Sequence, residues 1–197
     1  MRNLYLPLAI LPLFAAGGEL KHYAVKPAAG SHMTLEVTKT GFYGGRKHLL
    51  EFGRYEGTVR FDRDAPAHSE VQFQVQAGDM AVKDTWIGES DRVKIHDYAV
   101  NDMLQAKSHP VIRFASTGAE AAEGGLKFTG NLTIRGQSKP VTVLVRWKES
   151  GSDALEVEGE SRFRMTIFGL KPPTAALGTI GTKDEMLLKF ALRAVRE

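Results

Sequence analysis

A chain of 197 residues that is 43% hydrophobic and 25% charged can bury one sizeable core, which excludes global disorder and argues against two full domains. Its 26 basic and 23 acidic residues leave a net charge of +3 with no block of like charge, which excludes the concentrated basic face of a nucleic-acid binder. It has no cysteine, so packing must hold the domain together without disulfides.

In chain order, Arg2 gives a short positive start, Leu4–Ala16 is an uncharged apolar run, and small residues follow from Ala15 to Gly18. The pattern predicts a cleavable signal peptide over residues 1–18 and export to the periplasm or the medium. The run carries Pro7 and Pro12 and is too short to span a bilayer, so no stable membrane span is expected after cleavage. Without a cysteine at the cleavage site, a lipoprotein anchor is excluded.

Residues 22–197 then read as one strand-rich domain. His32–Lys39 alternates with Met33, Leu35 and Val37 on one face, and Arg54–Phe61 aligns Tyr55, Val59 and Phe61. Val71–Ala77, Ile112–Thr117, Leu126–Arg135, Val141–Trp147, Leu155–Ile167 and Met186–Val195 continue the period of two expected of half-buried strands. Gly136–Pro140 reads as the turn between two of these runs, with Pro140 opening the second, where a missing N–H costs least. Ser90–Lys107 breaks the rhythm, with Val93, Asp97, Val100 and Leu104 at helical spacing, Ser90 as N-cap and Pro110 beyond its end. Gly169–Glu185 reads as a long irregular connection, either a lid over the barrel mouth or an ordinary wrapped loop. Roughly eight strands joined mostly by short turns, with one helix, predict an antiparallel sandwich or barrel.

Glycines recur inside the strand rows at Gly57, Gly130 and Gly159. Bulges or bends explain them most simply, and room for a ligand is the alternative. The six histidines form no metal-binding pair and no cysteine can complete a zinc site, so no metal is expected. Gly136–Pro140 fails the pattern of a nucleophile elbow, and Gly178–Lys183 has the wrong spacing for a phosphate loop. No catalytic constellation emerges. Arg46-Lys47-His48, after Gly44-Gly45, reads as a basic loop.

Several pieces together resemble the YceI-like family of exported polyisoprenoid-binding proteins. They are Gly130-Asn131-Leu132-Thr133-Ile134-Arg135-Gly136 followed by Ser138-Lys139-Pro140-Val141, and upstream His109-Pro110-Val111-Ile112-Arg113-Phe114-Ala115-Ser116-Thr117. Gly57-Thr58-Val59-Arg60-Phe61-Asp62 and Phe168-Gly169-Leu170 add to the likeness. An arginine–aspartate pair frequent in the family stands here in inverted order, as Asp91-Arg92.

The resemblance implies an all-β fold, an eight-stranded antiparallel lipocalin-like barrel with one amphipathic helix packed against it. It further implies an apolar cavity that carries or sequesters an isoprenoid lipid or quinone as ligand, with no other cofactor, and a possible homodimer. The lining expected on this basis takes Val59, Phe61, Phe73, Val75 and Trp86 from the first half of the chain. From the second half come Phe114, Leu132, Ile134, Val143, Val145, Phe163, Met165 and Phe190. Arg46, Lys47, His48 and Lys171 are the expected polar residues at the mouth. Two other readings stay open: a lipid-modifying enzyme, or a partner of one, acting on a lipid head through His48 with a loop acid such as Asp184 or Glu185, and a filled barrel acting through its surface.

Overall fold

Alternating apolar and polar side chains carry most of the chain into strands, and the ends of the last strand decide how those strands close. The computed structural model describes residues 20–62 and 64–197, so the signal peptide expected over residues 1–18 lies outside the described residues. The strands are β1 (Lys21–Val25), β2 (His32–Gly41), β3 (Lys47–Phe52), β4 (Tyr55–Phe61), β5 (Glu70–Gln76) and β6 (Met80–Val82). After helix α1 (Glu89–Asp97) follow β7 (Val111–Ala122), β8 (Gly125–Ile134), β9 (Gln137–Glu149), β10 (Ala154–Arg164), β11 (Thr174–Ala175) and β12 (Ile180–Arg196).

Eight of these strands, in the order β1-β4-β5-β7-β8-β9-β10-β12, form a closed antiparallel barrel, because β12 pairs back onto β1. The closing ladder is short, from Tyr23↔Arg196 to Val25↔Ala194. Farther back along the same edge, β12 pairs instead with β2, from Ile180↔Gly41 to Ala191↔His32. β3 and β6 continue outward from β2. A three-stranded flap thus widens one end of the barrel. Glu36 of β2 pins it, accepting from Lys47 of β3 and Lys189 of β12. Burial alone would raise the Glu36 pKa, but the two lysines outweigh it and hold the carboxyl below its ordinary range. The stability it contributes is therefore present near neutral pH and lost as the pH falls through that lowered value.

The narrow end is filled more closely, leaving only a small cavity of about 140 Å³. Tyr23, Val25, Phe61, Leu155, Leu192 and Ala194 are buried there, and Phe61 meets Trp147 edge-on at 5.3 Å between ring centroids.

Several boundaries differ from the sequence reading. The helix spans Glu89–Asp97 behind Gly88, with no side-chain cap from Ser90, and runs on through a π-helical stretch, Tyr98–Met103. Its Val93 is exposed, whereas Ile95, Ala99 and Met103 form the inward stripe. The hairpin turn is only Arg135-Gly136, both at positive φ (50° and 74°), as the tight hairpin turn with two such central residues requires. Pro140 consequently sits inside β9, opposite Asn131. It is tolerated because β9 pairs with β10 only from Leu144 onward, leaving that edge open at Pro140. The segment Gly169–Glu185 is shorter as a loop than expected, since β12 begins at Ile180. The short strands β1, β3, β6 and β11 were not legible as separate strands. In β3 the basic start and the Leu49-Leu50 pair mask an alternation that buries His48, Leu50 and Phe52.

The three strand glycines have a common explanation. A Cβ on Gly57 would lie 2.4 Å from the Phe73 ring, one on Gly130 2.5 Å from Phe114, and one on Gly159 2.4 Å from Phe190. Gly57 and Gly159 lie in regular ladders, directly opposite Phe73 and Phe190. Each missing side chain lets a neighbouring ring lie back against the barrel wall. Of the three, only Gly130 adjoins a bulge, where the register of β7 slips between Ser116 and Gly118. Gly57→Ala should therefore destabilise by about 1–3 kcal/mol through overpacking. In urea denaturation, adding Phe73→Leu should recover part of that loss; strict additivity would show that the ring is not what the methyl meets.

Candidate functional site

The barrel interior holds two adjoining cavities. The larger, about 460 Å³, lies under the flap and the helix; the smaller, about 140 Å³, extends toward the packed end. Met33, Phe73, Phe114, Leu132 and Leu188 line both. These five side chains form a septum across the barrel. Two of its rings, Phe73 and Phe114, are those that recline on Gly57 and Gly130.

Of the residues expected to line a cavity, Phe73, Val75, Phe114 and Leu132 face the larger one, as do Ile134, Phe163 and Met165. Val59, Phe61, Val143, Val145 and Phe190 face the smaller. Trp86 faces neither. It lies between β6 and α1, stacks on His48 at 5.4 Å, and donates its indole N–H to the Lys47 carbonyl at 2.9 Å. The Arg46 guanidinium covers the Trp86 ring at 5.3 Å. An amphipathic indole with a polar partner and a cation prefers this seat to an apolar lumen. The flap residues Leu35, Val37, Leu50 and Phe52 and the helical Ile95, Ala99 and Met103 also line the larger cavity. The alternation of β2 marked the first two. Nothing in the sequence signalled that the helix faces a lumen.

The mouth residues divide. Arg46, Lys47 and Lys171 are exposed and line neither cavity. His48 does line the larger one, although it is no part of a solvated loop: it is 8% exposed and sits in a ladder opposite Val37. Its Nδ1–H donates to Asp84 Oδ2 at 2.5 Å, and the Leu49 N–H donates to Asp84 Oδ1 at 2.7 Å. Asp84 is 2% exposed, and such a buried carboxylate is tolerable only with donors on both oxygens. Arg92 donates to the carbonyls of Asp84 and Ile87, tying this loop to the helix. The acids proposed for His48 are engaged elsewhere. Asp184 accepts from the Thr166 N–H and hydroxyl at 2.9 and 2.7 Å, and Glu185 lies 3.8 Å from Arg162.

Lys39, Lys94 and Arg113 also reach the larger cavity. Burial lowers the Lys39 pKa, and the Asp84 charge only partly offsets it. Among the described residues no cluster of three or more potential ligands could hold a metal, and no helix is long and apolar enough to cross a membrane.

A closed eight-stranded antiparallel barrel whose inner face is apolar and partly unfilled is a lipocalin-like barrel. Within that class, residues 23–194 match the model of the YceI-like domain, and the chain belongs to that family. A UPF0312 protein of Pseudomonas aeruginosa is 28% identical over 142 residues, 70% of this chain and 69% of its own. Protein YceI of Salmonella arizonae is 25% identical over the same length and shares. Among solved structures, Burkholderia cenocepacia BcnA superposes with a TM-score of 0.64 at 21% identity, covering 83% of this chain and 96% of that one. A polyisoprenoid binding domain from Saccharophagus degradans, implicated in plant cell wall breakdown, gives 0.58 at 11% identity, covering 91% and 100%.

Replacing Asp84 by alanine strands two buried donors at once. Asp84→Ala should cost about 3 kcal/mol in denaturation followed by circular dichroism. A loss below about 1 kcal/mol would mean that water takes the carboxylate's place.

Proposed function

We propose that this protein is an exported carrier or sequestering protein for an isoprenoid lipid, its chain held in the barrel and its polar end at the widened mouth. The observation that carries this reading is the larger cavity. Its volume of about 460 Å³ lies within the roughly 300–1,000 Å³ typical of small-molecule sites. Its wall is built mainly from aliphatic and aromatic side chains of the flap, the barrel and the helix. A chain of methyl-branched alkenyl units needs such a wall and gains roughly 25 cal/mol for each Å² it buries. The structural relative from Saccharophagus degradans, described as a polyisoprenoid binding domain, supports the same class of ligand. The signal-like residues 1–18 support an exported, periplasmic setting.

The septum gives this reading a length scale. Phe73 and Phe114 stand between the two cavities, and rotation of either ring would join them into one tunnel for a longer chain. Quinones and polyprenyl alcohols or phosphates are the cargo considered. Catalysis has less support, because the acids expected to act with His48, Asp184 and Glu185, are engaged by Thr166 and Arg162 instead.

Mass spectrometry of an organic extract of the purified mature protein should reveal a stoichiometric isoprenoid or quinone absent from a control protein. Leu132→Trp, which fills the septum, should cut uptake of added long-chain polyprenol about tenfold or more. An empty extract together with no saturable uptake would favour a filled barrel acting through its surface.

A further inference from the structure

The residues that line the larger cavity include Lys39, Lys94 and Arg113 but no aspartate or glutamate. Lys94 is satisfied by Asp91 at 3.1 Å. Lys39 has no ion pair among the described residues, and Asp84, the acid whose charge it feels, already accepts from His48 and Leu49. Directly across the ladder from Lys39 is Thr182, where the pairing of β12 with β2 slips register. The Thr182 hydroxyl is buried and is the one buried side-chain polar atom among the described residues that has no hydrogen-bond partner. Thr182 and Lys39 both line the cavity. An unsatisfied donor beside an unpaired, partly desolvated cation is costly unless something fills the gap.

We propose that Lys39 and Thr182 form a seat for an anionic head, such as phosphate, at the mouth of the larger cavity. The proposal rests on the reading of that cavity as a lipid site and names the class of lipid it selects. The Thr182 hydroxyl donates to an oxygen of the head while the Lys39 ammonium neutralises it, with His48 bounding the seat on the β3 side. Calorimetric titration with farnesyl monophosphate and with farnesol separates the two ideas. The wild type should bind the phosphate about tenfold or more tightly than the alcohol. In Lys39→Met/Thr182→Val that preference should collapse toward unity, with affinity for the alcohol retained as the sign of an intact barrel. Equal binding of both probes by the wild type would overturn the anionic seat alone. Binding of neither would overturn the lipid cavity as well.

A separate observation concerns the outer surface above that mouth. The tip between β2 and β3 carries Phe42, 84% exposed, and the loop before β12 carries Leu177, fully exposed. The Phe42 N–H donates to the Thr179 carbonyl at 3.1 Å, so the two tips are fastened together. Ala176 and Leu177 both take positive φ (48° and 55°), an unfavourable backbone for non-glycine residues, here holding a leucine out in solvent. Residues 39–48 and 169–183 carry Lys39, Arg46, Lys47, Lys171 and Lys183 and no acidic residue.

Apolar side chains projecting from tips that carry Arg46, Lys171 and Lys183, with Lys47 paired to Glu36, fit a negatively charged apolar surface, and the structure assigns these tips to docking on an anionic phospholipid bilayer. Co-sedimentation with vesicles of phosphatidylcholine containing phosphatidylglycerol should recover the wild type, and raised salt should weaken the binding. Phe42→Ser/Leu177→Ser should lower binding about tenfold while leaving cavity ligand content unchanged. Equal binding by the variant, or none by the wild type, would overturn the assignment. So would a wild-type dimer that the double variant converts to monomer, since a second copy would then be what covers the tips.

Discussion

The edge of β12 that faces away from β10 serves two strands in turn, and the shape of the interior follows from that division. Where the edge pairs with β1, the eight-stranded ring is complete and its inward side chains leave only the smaller cavity between them. Where it pairs with β2, the flap displaces the wall outward and the same row of apolar residues no longer reaches the far side. A strand of 17 residues is needed to do both. The cavity is thus a product of register rather than of small side chains. The glycines refine it by letting three phenylalanine rings lie flat.

A flap joined to the barrel along a single edge needs further fastening. Glu36 binds its two neighbouring strands, and Asp84 binds β3 to the loop that leads into the helix. Arg92 and Arg135 then attach the helical segment through backbone carbonyls, the latter to Met103 at 3.1 Å. These polar contacts lie around the cavity, whose wall stays mainly apolar.

Much of the barrel was legible in the sequence because antiparallel strands with one buried face advertise their period. The rows of β5, β7, β8 and β10 could be read for that reason, and the phenylalanines in them do face the interior. β3 was hidden because its inward row begins with a histidine. The significance of that histidine was hidden too: its partner, Asp84, is 36 residues away, and no local pattern announces such a pair. Trp86 was misplaced for a related reason. The resemblance put it in the lumen, whereas its N–H and its neighbouring cation determine its seat outside. Lys39 and Thr182 could not be paired without the register of β12 against β2.

The rings of Phe42, Tyr43, Trp86 and His48 stand in sequence, at 5.2, 5.8 and 5.4 Å between successive centroids, from the exposed tip to the cavity wall. The other tryptophan, Trp147, is held against Phe61 at the packed end. The molecule therefore has an optical polarity of its own. One indole samples the mouth and a histidine that can quench it, and the other, half-buried at the far end against Phe61, reports on neither.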